Sequence, residues 1–180
     1  MIITISGLPG SGTSTVSAIL SGRIGARVVS AGDIFRDMAK EKGMTLEEFG
    51  TSAMNNKEID MELDRLQKKI ASDARNEAAD VILEGRLSAW MADPDLAVFV
   101  TAPQDVRAAR VSHRERVLLS DTATEIRDRE LCEAARYKEY YGIDVNDLGV
   151  YDLVINSGNW DQYGVVRIVA AAVDAHQTHK

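Results

Sequence analysis

The chain has 180 residues, 45% of them apolar, and 28 acidic against 21 basic side chains give it a net charge of −7. That length supports one sizeable core and a single domain over 1–180. The acidic balance argues against a nucleic-acid or anionic-membrane surface, which needs basic patches, and neither a secretory leader nor a membrane span is expected from the hydropathy pattern.

Met1 to Ser6 reads as a short buried strand. It runs into Gly7-Leu8-Pro9-Gly10-Ser11-Gly12-Thr13-Ser14-Thr15, and Val16, Ile19 and Leu20 then repeat at helical spacing. A strand, a glycine-rich turn and a helix in this order make a phosphate cradle. The glycines let the backbone N–H groups point inward, and the new helix adds its unpaired donors and positive dipole end. The spacing Gly7-x4-Gly12-x-Ser14 fits G-x-x-x-x-G-K-[ST] except that Thr13 stands where the lysine belongs. A plain tight turn is the bland alternative, but the strand before, the helix after and the hydroxyls of Ser14 and Thr15 favour phosphate. The whole run from Gly7 to Thr15 is therefore the candidate nucleotide-phosphate site, and another cation has to supply the charge lost at Thr13.

Farther on, Arg27-Val28-Val29-Ser30 reads as a strand. Asp33 is the expected N-cap of a helix carrying Ile34, Phe35, Met38 and Ala39 up to a stop at Gly43. Thr45-x-x-Glu48 is a capping box. A longer helix follows with Ile59, Leu63, Leu66 and Ile70 as a packing stripe. Asp80 to Arg86, ending in two opposite charges, and Leu96 to Thr101 are apolar runs typical of buried parallel strands. Between them and the last strand, Tyr151 to Ile155, lie a helix from Gln104, a turn expected around Ser120 to Ala123, and a helix from Glu125 to Tyr141. Val165, Val166, Ile168, Val169 and Val173 form a final amphipathic helix with a frayed tail. Five strands alternating with helices predict a three-layer α/β fold, a five-stranded parallel sheet covered on both faces. Ligands in such sheets gather at the strands' carboxyl ends, here Ser6-Gly7, Ser30, Glu84-Gly85-Arg86, Thr101 and Asn156.

Seven of the fourteen arginines fall between Arg107 and Arg136, where there is no lysine. Helical pairing with Glu115, Asp121, Glu125, Asp128, Glu130 and Glu133, for instance Arg114 with Asp121 and Arg127 with Glu130, is the bland reading. The bias of arginine over lysine instead favours bidentate recognition of phosphate, as in a lid over a bound nucleotide. Glu84 and the Ser14 hydroxyl are the candidate Mg²⁺ site, the alternative for Glu84 being a pair with Arg86. His113, His176 and His179 lack metal-ligand spacing. The single Cys132 has no partner for a disulfide or a zinc site, so it is expected to be a buried or half-buried packing thiol in a cytoplasmic protein.

Over almost its whole length the chain resembles the nucleoside monophosphate kinases of the P-loop kinase group, and within them the archaeal cytidylate kinases. The stretches G-L-P-G-S-G-T-S-T, S-A-G-D-I-F-R at 30–36, V-I-L-E-G-R at 81–86 and R-Y-K-E-Y-Y-G-I-D at 136–144 carry the resemblance. It implies ATP-dependent phosphorylation of CMP, and of dCMP as well, with Mg²⁺, by a monomer. A helical acceptor-binding segment would span about 33–75 and an arginine-rich lid about 111–130. Arg36 and Arg86 would bind the acceptor phosphate, with Ser30 and Asp33 beside them, and Asp60 would read the cytosine amino group. Arg110 would lie against the donor adenine. Arg114, Arg129 and Arg136 would be the catalytic lid contacts, and one of these three is expected to replace the loop lysine. Ala31 and Leu83-Glu84-Gly85 depart from the adenylate-type motifs, which speaks against AMP as acceptor. UMP or AMP phosphorylation and a non-catalytic ATP-binding regulator are the rival readings.

Overall fold

A computed structural model describes residues 1–54 and 56–178, apart from the side chains of Leu46 and Glu47; His179 and the end of the tail lie outside the described residues. Strands β1 (Ile2–Gly7), β2 (Arg27–Ser30), β3 (Val81–Glu84), β4 (Leu96–Thr101) and β5 (Leu153–Asn156) form one sheet in the order β2-β3-β1-β4-β5. All pairings are parallel, and Ile5 of β1 registers with Glu84 on one side and Val98 on the other. The carboxyl ends of the five strands therefore share one edge.

The helices follow from the apolar spacing. They are α1 (Thr13–Ile24), α2 (Ala31–Glu41), α3 (Leu46–Met54), α4 (Lys57–Asn76), a short α5 (Ser88–Met91), α6 (Gln104–Glu115), α7 (Leu119–Tyr141) and α8 (Gln162–Thr178). One sheet face, with Ile3, Ile5, Ile82, Val98 and Val100, packs on Val16 and Leu20 of α1 and on Val165, Val169 and Val173 of α8. The opposite face sets Ile2, Val81 and Leu83 against Ala71 and Ala74 of α4. Full burial of such a branched side chain is worth about 1.5–3 kcal/mol, so these two layers hold the sheet rigid. Helices α2, α3 and α4 build a separate cluster from Met38, Ala39, Phe49, Ala53 and Ile59.

Local details correct several expectations. The cap of α2 is Ser30, whose hydroxyl accepts from the Gly32 N–H, and Asp33 lies in the first turn. Both residues suit a cap, but strand and helix meet with no loop between them, so the strand's own last residue takes the role. The capping box at Thr45 forms as expected, with the Glu48 carboxylate accepting from Thr45 N at 2.8 Å and Thr45 Oγ1 accepting from Glu48 N at 3.2 Å. The turn before α7 lies at Arg116 to Leu118, ahead of the expected 120–123, and Arg116 takes a left-handed φ of 58°. The polar run is helical: Thr122 N donates to Leu118 O at 3.1 Å, and Thr122 Oγ1 donates to the same carbonyl at 2.8 Å, so the hydroxyl is satisfied within the helix. β5 starts at Leu153, since Tyr151 instead packs on Trp90 and Phe99. Cys132 is exposed on α7, contrary to the packing role expected of it.

Candidate active site

At the end of β1, position 7 has no room for a side chain. A Cβ on Gly7 would lie 2.4 Å from Val100 O, and Gly12, which starts α1, has a φ of 99°. Neither a capping side chain nor an acidic residue occupies the first turn of α1, so its N–H groups and positive end stay available to an anion. Three arginines donate to carbonyls of this loop among the described residues: Arg86 to Gly7 O at 3.4 Å, Arg107 to Pro9 O at 3.1 Å and Arg110 to Ser11 O at 3.4 Å.

Glu84 ends β3 in the middle of this edge. Its Oε1 accepts from Thr13 Oγ1 at 2.7 Å and Ser14 Oγ at 3.2 Å, and its Oε2 accepts from Ser30 Oγ at 2.6 Å. The expected proximity of Glu84 to Ser14 is present, and the alternative pair with Arg86 does not form. A carboxylate and hydroxyls are hard oxygen donors of the kind Mg²⁺ prefers. Among the described residues no group of three or more His, Cys, Asp or Glu side chains could hold a metal. A divalent cation at Glu84 and Ser14 would therefore need further oxygens from a bound phosphate.

Arg86 turns back from the β3 end, its Nε 3.4 Å from Glu133 Oε2. The other oxygen of the same carboxylate accepts from Arg129 Nε at 2.8 Å. Asp60 of α4 pairs with Arg136 Nε at 3.1 Å. Arg107, 4% exposed, donates Nε to Ala102 O at 3.0 Å and bonds Glu130, tying α7 to the loop. Arg110 holds Ser157 Oγ at 2.9 Å and Ser157 O at 3.0 Å. Ser157 Oγ in turn donates to Ser11 O at 2.7 Å.

The model of the cytidylate kinase-like family matches residues 2–159. The chain belongs to the cytidylate kinase-like family. A cytidylate kinase of Methanocaldococcus jannaschii is 48% identical over 97% of this chain and 98% of its own length. One of Methanothermobacter thermautotrophicus is 53% identical over 89% of this chain and 98% of its own. Among solved structures, an uncharacterized protein of Eubacterium ventriosum aligns with a TM-score of 0.74 at 18% identity, covering 97% of this chain and 98% of that one. Shikimate kinase of Bacteroides thetaiotaomicron aligns at 0.62 and 13% identity, with the same coverage. Likeness at such identities establishes the P-loop kinase fold alone, and the family membership makes the protein a kinase.

Within this kinase the structure brings together the loop Gly7–Thr15, Ser30, Glu84, Arg86 and Arg110, and one step outward Arg129, Arg136 and Asp60. Three expected residues stand apart. Asp33 and Arg36 pair with each other, both more than half exposed, and Arg114 pairs with its neighbour Glu115 on the surface at 2.7 Å. The suggested pairs Arg114 with Asp121 and Arg127 with Glu130 are replaced by Arg114–Glu115 and Arg107–Glu130. None of Arg114, Arg129 and Arg136 donates to the loop; Arg86 does.

Beside Asp60, which the resemblance names, α4 carries two further buried polar residues that the sequence reading does not single out, Asp64 and Gln67; the three are 6%, 6% and 2% exposed. Tyr141 donates to Asp64, and Ser88 Oγ donates to Gln67 Oε1 at 2.7 Å. Burial pushes both aspartates above the ordinary carboxylate range; Arg136 opposes this at Asp60, and the Tyr141 hydrogen bond opposes it at Asp64. Spacing at i, i+4 and i+7 that runs on into Ala71 and Ala74 was the available signal.

Proposed function

We propose that this kinase transfers the γ-phosphoryl group of ATP to CMP, and to dCMP as well. The observation that carries the reading is Glu84, which joins the hydroxyls of the phosphate loop to Ser30 at the end of the neighbouring strand. Donor phosphates on Gly7–Thr15 and an acceptor phosphate near Ser30 would then meet over one carboxylate. The names of the archaeal relatives supply CMP as the acceptor.

In this mechanism the N–H groups of the loop and the start of α1 hold the β- and γ-phosphates, and Arg110 with Ser157 flanks the adenine. The acceptor lies between the helical segment of about 33–75 and the lid of about 111–130. Arg36 moves from Asp33 onto the acceptor phosphate, with Ser30 and Arg86 beside it. Asp60 accepts from the cytosine amino group. A phosphate oxygen of CMP, already anionic at neutral pH, attacks the γ-phosphorus in line; the bond to the β-bridging oxygen breaks, leaving ADP and CDP, and no general base takes part. Mg²⁺ held between Glu84 and Ser14 would neutralise charge on the phosphate oxygens. Arg114, Arg129 and Arg136 close over the transferred group and exclude water, which limits ATP hydrolysis.

The test is ADP formation from Mg·ATP with CMP, dCMP, UMP, AMP and GMP offered singly, beside a control without acceptor. Preference for CMP and dCMP supports the reading. Turnover with UMP or AMP alone moves the acceptor assignment. ATP binding with no acceptor-dependent turnover would make the protein a nucleotide-binding regulator.

A further inference from the structure

We infer that Arg86, oriented by Glu133, supplies the charge that the phosphate loop lacks at Thr13. The inference rests on the proposed ATP-dependent transfer and names the residue that makes it work without a loop lysine. A lysine in the loop acts as a point charge at the β- and γ-phosphates, so its substitute must reach the mouth of the loop with donors to spare. Thr13 cannot serve, since its hydroxyl is engaged with Glu84.

The three arginines that touch the loop separate by how their donors are used. Arg107 is buried, and its Nε and Nη1 are committed to Ala102 O, Pro9 O and Glu130. Arg110 has both ends of its fork on Ser157. Arg86 points Nη1 at Gly7 O, the first carbonyl of the loop, and its inner Nε faces Glu133. Among the described residues its Nη2 makes no hydrogen bond, as that of Arg107 makes none, but the Arg86 side chain is the more exposed of the two, at 12% against 5%.

Glu133 is the positioning residue. It is 9% exposed; its Oε1 accepts a hydrogen bond from Arg129 Nε at 2.8 Å, and its Oε2 forms an ion pair with Arg86 Nε at 3.4 Å without a hydrogen bond. Holding an arginine by its Nε directs the terminal nitrogens forward. One carboxylate thus sets a cation from the sheet edge beside one from the lid helix, with their forks left for a shared anion.

The test uses the whole chain and measures binding of the β,γ-imido analogue of ATP against ADP, without acceptor, alongside turnover with CMP. Arg86→Gln is expected to weaken the triphosphate at least tenfold with ADP changed less than twofold, and to cut turnover about 10²-fold or more. Thr13→Lys added to Arg86→Gln is expected to restore at least tenfold of either loss. Glu133→Gln should shift the triphosphate-to-ADP ratio in the same direction as Arg86→Gln. Thr13→Lys alone, which leaves the Arg86 packing intact, is expected to strengthen the triphosphate less than threefold because the seat is already filled.

If Arg86→Gln raises only the KM for CMP and Thr13→Lys rescues nothing, Arg86 serves the acceptor alone and the inference fails. It fails equally if Thr13→Lys alone tightens the triphosphate tenfold. Since the binding arm needs no acceptor, a wrong acceptor assignment would leave it readable, whereas a wild-type chain that binds neither nucleotide overturns both readings.

Discussion

Thr13 Oγ1 donates to Glu84 Oε1 over 2.7 Å, so the residue standing in place of the loop lysine is bonded to the carboxylate that would hold the cation. The bond fixes one oxygen of Glu84, while Ser30 fixes the other at 2.6 Å. Glu84→Gln keeps the shape but loses the charge and gives the serine or threonine hydroxyl a donor to face. Turnover is expected to fall about 10²–10³-fold, and half-saturation by Mg²⁺ should move to higher concentration. Thr13→Ser, which keeps the hydroxyl, is expected to stay within about threefold of wild type, under 1 kcal/mol. A Mg²⁺ titration of initial rates on the two variants checks both.

Ser157 joins Arg110, proposed to flank the adenine, to the loop. It is 4% exposed, donates to Ser11 O at 2.7 Å and accepts from Arg110. Ser157→Ala leaves Ser11 O without this donor and loosens Arg110, at a cost of about 1–3 kcal/mol in stability. The KM for ATP is expected to rise roughly five- to tenfold, about 1 kcal/mol of binding, with the KM for CMP little changed. Urea unfolding and steady-state kinetics separate the two effects.

Position 85 has no room for a side chain beside the proposed acceptor site. A Cβ there would lie 2.7 Å from the Ala31 Cβ, 2.7 Å from Ser88 Oγ and 3.4 Å from Gln67 Oε1. Gly85→Ala must push Ala31 away or displace Ser88 from Gln67, costing about 1–3 kcal/mol by overpacking. Because the strain falls beside Ser30 and α4, the KM for CMP should rise more than that for ATP. Equal changes in the two would mean that the crowding spreads into the loop.

Local chemistry was legible in the sequence, and long-range pairing was not. β2 and β4 follow residue for residue from short apolar runs, and the phosphate loop from glycines whose need is steric and immediate. Glu84 could be placed because it ends a strand beside a loop that ends another. Ser157 meets Ser11 across 146 positions and Arg107 meets Pro9 across 98, so nothing near either residue announces the contact. Glu133 could be read as a helical partner of Arg129, and that pair is present. Its second contact, to Arg86, depends on how α7 crosses the sheet edge, which helical periodicity does not encode. The lid was likewise expected to replace the lysine because arginines are dense there; Arg107 and Arg110 of that dense run reach loop carbonyls, and so does Arg86, which stands alone in sequence at the end of β3.

Asp64 gives the buried polar residues of α4 a pH signature. Burial, the largest influence, raises its pKa above the ordinary value of 3.8, with the hydrogen bond from Tyr141 acting in the opposite direction. A raised carboxyl binds its proton more tightly in the folded than in the unfolded chain. Its contribution to stability is therefore complete below about pH 3.8 and is lost as pH rises through the folded pKa. Asp64→Asn never carries the charge and can still accept from Tyr141. The melting temperature of the variant minus that of wild type is expected to climb as pH rises from about 3.8 through the folded pKa, then to level off above it. Thermal melts of both proteins in matched buffers measure that difference. A flat difference would mean that the Tyr141 hydrogen bond balances burial, and a falling one would mean that it outweighs burial.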